Sequence, residues 1–306
     1  MRILVLGAGA VGGYFGGRLA GAGADVTFLV RARRAAQLAE NGIVLRSKMG
    51  NLRTPVKAVE QVEQPFDLIL LSCKAYDLED AMAAIAPAVG TDTLILPLLN
   101  GLRHFDALDA GFSARRVLGG CCFIGATLTP AGEIEHLNRL QRVILGPRFE
   151  EQREGCAAAH AELTRGGFAP ELSLFVMHDV WEKFAFLASL AGITCLMRAT
   201  IGAIASTAEG SAIASELFDE CCAVAAASGF QPRPAFLAQS RAMLTDPASD
   251  ASSSMLRDMQ RGGETEHDHI LGDMLARARS RGVAAPVLRL ARAHMQAYDA
   301  MRGSPL

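Results

Sequence analysis

Met1-Arg2-Ile3-Leu4-Val5-Leu6-Gly7-Ala8-Gly9-Ala10-Val11-Gly12 opens the chain, and its reading decides the fold. A short apolar strand runs into Gly-x-Gly-x-x-Gly, and a helical pattern follows at once. Gly7 lets the backbone turn sharply off the strand. Gly9 removes a side chain where a pyrophosphate must approach the main chain, and Gly12 lets the helix pack closely on the strand. The helix N-terminus then offers unpaired N–H groups and a partial positive charge to the phosphates. Gly7, Ala8, Gly9, Ala10, Val11 and Gly12 are therefore read as the phosphate turn of a dinucleotide-binding unit.

Ala24–Val30 reads as the second strand, β-branched and aromatic, entered from the turn Gly21-Ala22-Gly23. An NAD-binding unit usually ends this strand with Asp or Glu, which holds the ribose 2′-hydroxyl. Here the position holds Arg31, with Arg33 and Arg34 behind it, and no acid occurs between Val26 and Gln37. A guanidinium presents a planar fork of donors that fits a phosphate. The expected cofactor is NADP(H), with Arg31 as the main 2′-phosphate contact. The competing reading is a solvated arginine cluster opening a surface helix.

The chain has 306 residues, 50% of them hydrophobic, and a formal net charge of −2. That supports a large core and two domains. The near-neutral balance argues against a nucleic-acid partner. No apolar run is expected to reach the length of a membrane span. The first residues form a strand rather than a charged segment and an export-type apolar stretch, so a cytoplasmic protein is expected. Seven cysteines occur without a Cys-x-x-Cys, which points to free thiols rather than disulfides or a thiolate metal site. Of 30 cationic residues only four are lysines: Lys48, Lys57, Lys74 and Lys183. A lysine kept in such a chain suggests a need for an amine that can release its proton, which arginine cannot do.

Strand and helix alternate through the first half. A helix is expected near 32–41, a hairpin of 43–46 against 54–56, and strands at 66–72 and 93–99. Helices follow near 77–86 and 103–110. Separate strands are expected at 117–124, 132–137, 142–145 and 169–172, with a helix at 150–165. Ligands in such sheets bind at strand carboxyl ends, so Gly7, Arg31, Lys74 and Asn100 are expected to converge on one crevice. From about residue 174 the pattern is helical only, with helices at 180–190, 203–228, 234–244, 265–281 and 286–302. The expected domains are 1–173 (NADP-binding) and 174–306 (helical, substrate and catalysis), with the active site in the cleft between them.

The chain resembles the ketopantoate reductase (2-dehydropantoate 2-reductase) family. The resemblance rests on Gly7–Gly12, Arg31, Ser72-Cys73-Lys74-Ala75-Tyr76, Leu99-Asn100-Gly101, Thr129-Pro130-Ala131-Gly132, Trp181-Glu182-Lys183, Ser253–Asp258, Thr265-Glu266-His267-Asp268 and Gly282–Pro286, in the family's order. It implies a Rossmann-like α/β domain followed by an all-α domain like the C-terminal domain of 6-phosphogluconate dehydrogenase. It also implies hydride transfer from NADPH to the 2-oxo carbon of ketopantoate, giving pantoate for coenzyme A synthesis.

By position, the resemblance makes Lys183 the catalytic lysine and general acid. Lys74 and Asn100 become cofactor contacts, Asn100 also facing substrate. Ser254 becomes a substrate hydroxyl contact, with a helix N-cap as its competing reading. Glu266 becomes the acid beside the nicotinamide ribose and the lysine. Hydride arriving at a ketone leaves a developing alkoxide, which a nearby ammonium stabilises and protonates. The plain alternative for Lys183 is a surface pair with Asp179, one helical turn away. His267 and His269 lie two apart, on different sides of a helix, so no metal is expected.

The chain departs from the family where it usually has asparagines four and eight residues after the lysine. Here those positions hold Leu187 and Ala191; a further asparagine of some members falls near Ile201, and none occurs after Asn138. Either Ser254, Thr194 or Arg198 holds ketopantoate, or the substrate is a different, less polar 2-oxo compound. A β-hydroxyacid-type dehydrogenase and a catalytically silent NADP(H) sensor are the other readings. A homodimer is left open, since the apolar helical stripes fit an internal core equally well.

Overall fold

The computed structural model describes residues 1–302. β1 (Arg2–Leu6) leads through the glycine turn into α1 (Ala10–Gly21). Next come β2 (Asp25–Leu29), α2 (Ala32–Asn41), β3 (Ile43–Ser47), β4 (Leu52–Thr54), β5 (Lys57–Val59), β6 (Leu68–Leu71), α3 (Leu78–Ile85), β7 (Leu94–Pro97) and α4 (Arg103–Phe112). β8 (Gly119–Leu128), β9 (Ile134–Gly146), α5 (Arg153–Thr164) and β10 (Pro170–Leu172) complete the strand-bearing part.

The first sheet runs β5-β2-β1-β6-β7 and is parallel throughout. Its inner strands are buried on both faces, which is why Ile3–Leu6 and Leu68–Leu71 read as unbroken apolar runs. β3, β4, β8, β9 and β10 form a second sheet, with β9 paired to β8, β3 and β10. The core of this unit joins Ile3, Val5 and Phe28 of the first sheet to Ile43, Leu45, Ile134 and Leu145 of the second, through Tyr14 and Phe15 of α1. The glycines of α1 permit this: an added Cβ would meet Phe28 at 2.8 Å from Gly16, Ile43 at 2.7 Å from Gly17 and Ile134 at 2.3 Å from Gly13.

Two strand expectations need correcting. β9 is one strand of 13 residues rather than two, because β8 pairs along it from Gly119↔Gly146 to Leu128↔Ile134, across one irregularity between Ile124 and Ala126. β5 was not foreseen; its three residues gain strand form by pairing with β2.

The remaining helices are α6 (Val176–Met197), α7 (Ile201–Ala205), α8 (Gly210–Ala227), α9 (Pro234–Leu244), α10 (Ser254–Gln260), α11 (Asp273–Ser280) and α12 (Pro286–Met301). A π turn, Asp268–Gly272, leads into α11. α8 packs with α7, α9, α11 and α12. The expected helix 203–228 is broken, because Ser206 and Thr207 hydroxyls donate to the Gly202 and Ile204 carbonyls and Gly210 sits tight against the Ile204 carbonyl. α10 was missed; Ser253 caps it, its Oγ accepting from Leu256 N at 3.0 Å. α6 corrects the membrane reading too: its 22 residues are long and apolar enough to cross a membrane, yet 72% of the apolar window is buried inside the protein, as in a core helix.

The chain divides into two units, Met1–Leu99 with His104–Asp179, and Asn100–Arg103 with Val180–Leu306, of which residues 303–306 lie outside the described residues.

Candidate functional site

The turn after β1 is held in the form its glycines allow. Gly7 has φ +86°, a left-handed conformation that costs glycine nothing, and its N–H donates to the Leu29 carbonyl at 2.9 Å. A Cβ on Gly12 would fall 2.1 Å from Ser72 Oγ and 2.3 Å from the Gly7 carbonyl oxygen, so Gly12 lets α1 close on its own turn and on the end of β6. Ser72 Oγ donates to the Leu6 carbonyl at 2.8 Å and locks that end of β6 to β1. A Cβ on Gly9 would meet nothing within 4 Å. Gly9 is also the N-cap of α1, with no side chain capping the helix and no acid in its first turn. The protein thus leaves both the space and the N–H groups available to an anion.

Beside this turn lies a cavity of about 860 Å³, lined by Gly7, Ala8, Gly9, Arg31, Ser72 and Lys74 among others. Its size, bare helix terminus and cations fit a dinucleotide phosphate. Ala10, Val11 and Gly12 form the first turn of α1 and do not line it; Asn100, expected in the same crevice, does not either. Of the residues expected to converge, Gly7, Arg31 and Lys74 line this one cavity, and Asn100 belongs to the second unit.

Two side chains refine the reading of Arg31. Its Nη2 donates to Asp77 Oδ1 at 2.7 Å, and Asp80 Oδ2 stands 3.9 Å away. Asp77, Asp80 and Glu60 all line the cavity. The stretch after β2 lacks acids, but the start of α3 brings carboxylates to Arg31 from 46 residues on. Local sequence could not reveal this. Arg34 serves the turn directly: Nε donates to the Ala8 carbonyl at 3.0 Å and Nη1 to the Gly132 carbonyl at 2.9 Å. It braces the glycine turn against the Thr129–Gly132 bend.

The second cluster lies in the helical unit. Lys183 on α6 is only 9% exposed, and its Nζ donates to Asn100 Oδ1 at 3.0 Å. Asp179, offered above as its plain partner, accepts from Ser173 Oγ at 2.5 Å. Glu182, next in sequence to Lys183, serves structure: it is buried and accepts from Arg233 N at 2.8 Å and Arg233 Nε at 3.0 Å, fixing the start of α9. Glu266 is buried, 8% exposed, just ahead of the π turn.

Sequence reasoning weighed His269 only as a metal ligand. His269 Nε2 donates to the Asn100 backbone carbonyl at 2.9 Å, so Asn100 is held from both its side chain and its main chain. Burial pushes the His269 pKa below its ordinary value, although Glu266 and the Asn100 carbonyl favour the charged form. His267 faces Thr265 Oγ1 at 3.2 Å and Asp299 Oδ2 at 3.3 Å. Among the described residues no group of three or more His, Cys, Asp or Glu is arranged to hold a metal ion.

Ser254 is the first residue of α10, and the cap is Ser253. The capping alternative for Ser254 is thereby removed, and its half-buried hydroxyl has no partner among the described residues. Thr194 is unsuited to gripping a substrate. It is fully buried, donating to the Leu190 carbonyl at 2.6 Å and sharing a hydrogen bond with Ser253 Oγ at 2.9 Å. Arg198 is exposed, with φ +52°. Leu187 is half-buried, while Ala191 and Ile201 are buried.

Comparison with known proteins gives consistent results over the whole chain. A family profile described as "Ketopantoate reductase PanE/ApbA" matches residues 3–149, and one described as "Ketopantoate reductase PanE/ApbA C terminal" matches residues 176–299. The "Uncharacterized oxidoreductase YkpB" of Bacillus subtilis is 38% identical over 301 residues, covering 98% of this chain and 99% of that protein. A "2-dehydropantoate 2-reductase" of Pyrococcus horikoshii is 29% identical, covering 99% of both chains. The crystal structure of 2-dehydropantoate 2-reductase from Geobacter metallireducens superposes with a TM-score of 0.90 at 27% identity, covering 97% of this chain and 99% of that one.

Proposed function

The chain belongs to the ketopantoate reductase PanE/ApbA family, and from that premise we propose that it is an NADPH-dependent 2-oxo acid reductase with 2-dehydropantoate (ketopantoate) as first substrate and pantoate as product. The observation that carries this reading is the buried Lys183 ammonium, aimed by Asn100 at 3.0 Å, in a chain that otherwise uses arginine for its cations.

When bound, NADPH supplies the hydride. The Gly7–Gly9 turn and the α1 N-terminus take the pyrophosphate, with Arg34 bracing the turn. Arg31 and Lys74 take the 2′-phosphate, Asp77 setting the direction of the Arg31 fork. Lys183 gives a proton to the carbonyl oxygen as hydride reaches the carbon, so the ketone becomes an alcohol without a free alkoxide. Glu266, buried just ahead of the π turn, supplies the acid beside the nicotinamide ribose and the lysine. Ser254 offers its unused hydroxyl to the substrate.

Steady-state NADPH oxidation with ketopantoate and a panel of 2-oxo acids tests this reading. A kcat/KM for ketopantoate at least about ten-fold above the panel is expected; parity with the panel removes the pantoate assignment. A second reading is favoured by Leu187 and Ala191 on the Lys183 helix and by the commitment of Thr194 to structure. It keeps cofactor and chemistry but takes a less polar 2-oxo acid, and the same panel identifies it.

A further inference from the structure

Asn100 would point nowhere in particular without its neighbours. It follows β7, and the next residue, Gly101, turns with φ +82°. A Cβ at position 101 would stand 3.0 Å from His269 Cδ2 and 3.1 Å from His269 Nε2, so this turn lies flat against the imidazole. The same ring nitrogen donates to the Asn100 carbonyl at 2.9 Å. A carbonyl can only accept, so Nε2 carries the hydrogen. The imidazole is presented by the π turn Asp268–Gly272, a helix irregularity that re-aims the side chains it carries. Asp268 grips the segment at a second point, accepting from Arg103 Nη1 at 3.1 Å, and is itself held by Arg292 Nη2 at 3.0 Å.

We propose that His269 is a positioning residue for the reduction: by fixing the Asn100 main chain it fixes the Asn100 amide, and through that amide the direction of the Lys183 ammonium. This rests on the reductase reading given above. His269 touches neither substrate nor cofactor in this role. Because the Asp268–Arg103 pair tethers the segment independently, losing the imidazole donor leaves the fold and frees only the orientation of Asn100. A small misplacement of a proton donor costs turnover while leaving binding nearly untouched.

The test uses the full chain with saturating NADPH and the best 2-oxo acid of the panel. His269→Phe keeps a ring against Gly101 and removes the donor. Its kcat is expected to fall about ten-fold, with both KM values within about two-fold and an unchanged Tm. His269→Gln restores an N–H donor and should bring kcat back to within about three-fold of wild type. In the Asn100→Ala background, where the amide to be positioned is gone, His269→Phe should cost less than about two-fold. If His269→Phe does not fold, His269→Leu, which also lacks the donor, replaces it.

A wild-type kcat for the Phe variant, an equal loss in the Gln variant, or full additivity with Asn100→Ala overturns the positioning role while the reductase reading stands. A wild-type protein that reduces no 2-oxo acid sinks the reductase reading, and this inference with it.

Discussion

Lys183 Nζ lies 3.0 Å from Asn100 Oδ1, so the candidate proton donor is aimed by an amide 83 residues earlier in the chain. Lys183→Ala should lower kcat by about a thousand-fold, with the NADPH dissociation constant little changed. Lys183→Arg should rescue little, since a guanidinium keeps its proton. Kinetics and fluorescence titration of NADPH measure the two quantities. A protein that only senses NADP(H) would show no difference between wild type and variant.

Arg31, paired with Asp77, is the proposed 2′-phosphate contact. Removing it by Arg31→Ala should raise the KM for NADPH by about ten-fold or more and leave that for NADH nearly unchanged. Asp77→Asn keeps an acceptor for Arg31 and removes a charge that repels a phosphate. The NADPH KM should then fall by roughly three-fold. An equal response of the two cofactors would place Arg31 outside the 2′-phosphate site.

Gly9 and Gly12 should fail in opposite ways. A Cβ on Gly12 meets Ser72 and the Gly7 carbonyl inside van der Waals contact, so Gly12→Ala should destabilise the protein by about 3 kcal/mol. A Cβ on Gly9 meets no protein atom, so Gly9→Ala should keep the wild-type Tm. It should weaken dinucleotide binding by about ten-fold or more, because the methyl stands where the phosphate must come. Thermal melts beside cofactor titrations separate the two.

His269 links stability to pH. Burial lowers its folded-state pKa below the usual 6.5, so the unfolded chain takes up its proton first as pH falls. The stability attached to a neutral His269 is complete above about pH 6.5 and drains away as pH drops through the folded-state value. Denaturant melts between pH 7 and pH 5 should show a smaller pH slope for His269→Gln than for wild type. Identical slopes would mean that His269 does not titrate differently on folding.

All seven cysteines are thiols rather than disulfides, and six are buried. Burial pushes Cys156 up to about 11 and Cys195 and Cys221 up to about 12. Cys73 is half-exposed and lines the cavity beside the glycine turn. A thiol reagent at pH 8 should therefore add one label to the native protein, at Cys73, by intact mass and peptide mapping. Bound NADPH should slow that labelling. Several labels on the native protein would contradict the burial seen here.

The strand–Gly-x-Gly-x-x-Gly–helix opening could be read without coordinates because its meaning is local. Each glycine answers to atoms a few residues away, and the helix starts where its pattern starts. The helical half was legible for a similar reason, since apolar spacing reports a buried face. Boundaries were less so: the break before Gly210 depends on serine and threonine hydroxyls competing for backbone carbonyls, which spacing does not register. Ser254 could be read in sequence as a substrate contact or as a helix cap, and only the cap bond from Leu256 to Ser253 separates the two.

By itself, then, the sequence determined a dinucleotide-binding α/β part, an all-helical part and a short set of chemically apt residues, because short-range patterns encode those. The tertiary structure decided which of them meet. It brought Asp77 to Arg31, His269 to the Asn100 carbonyl and the Asn100 amide to Lys183. Those pairings span 46, 169 and 83 residues, and no local propensity reaches that far; they are fixed when apolar packing and hydrogen-bond satisfaction select one fold for the chain.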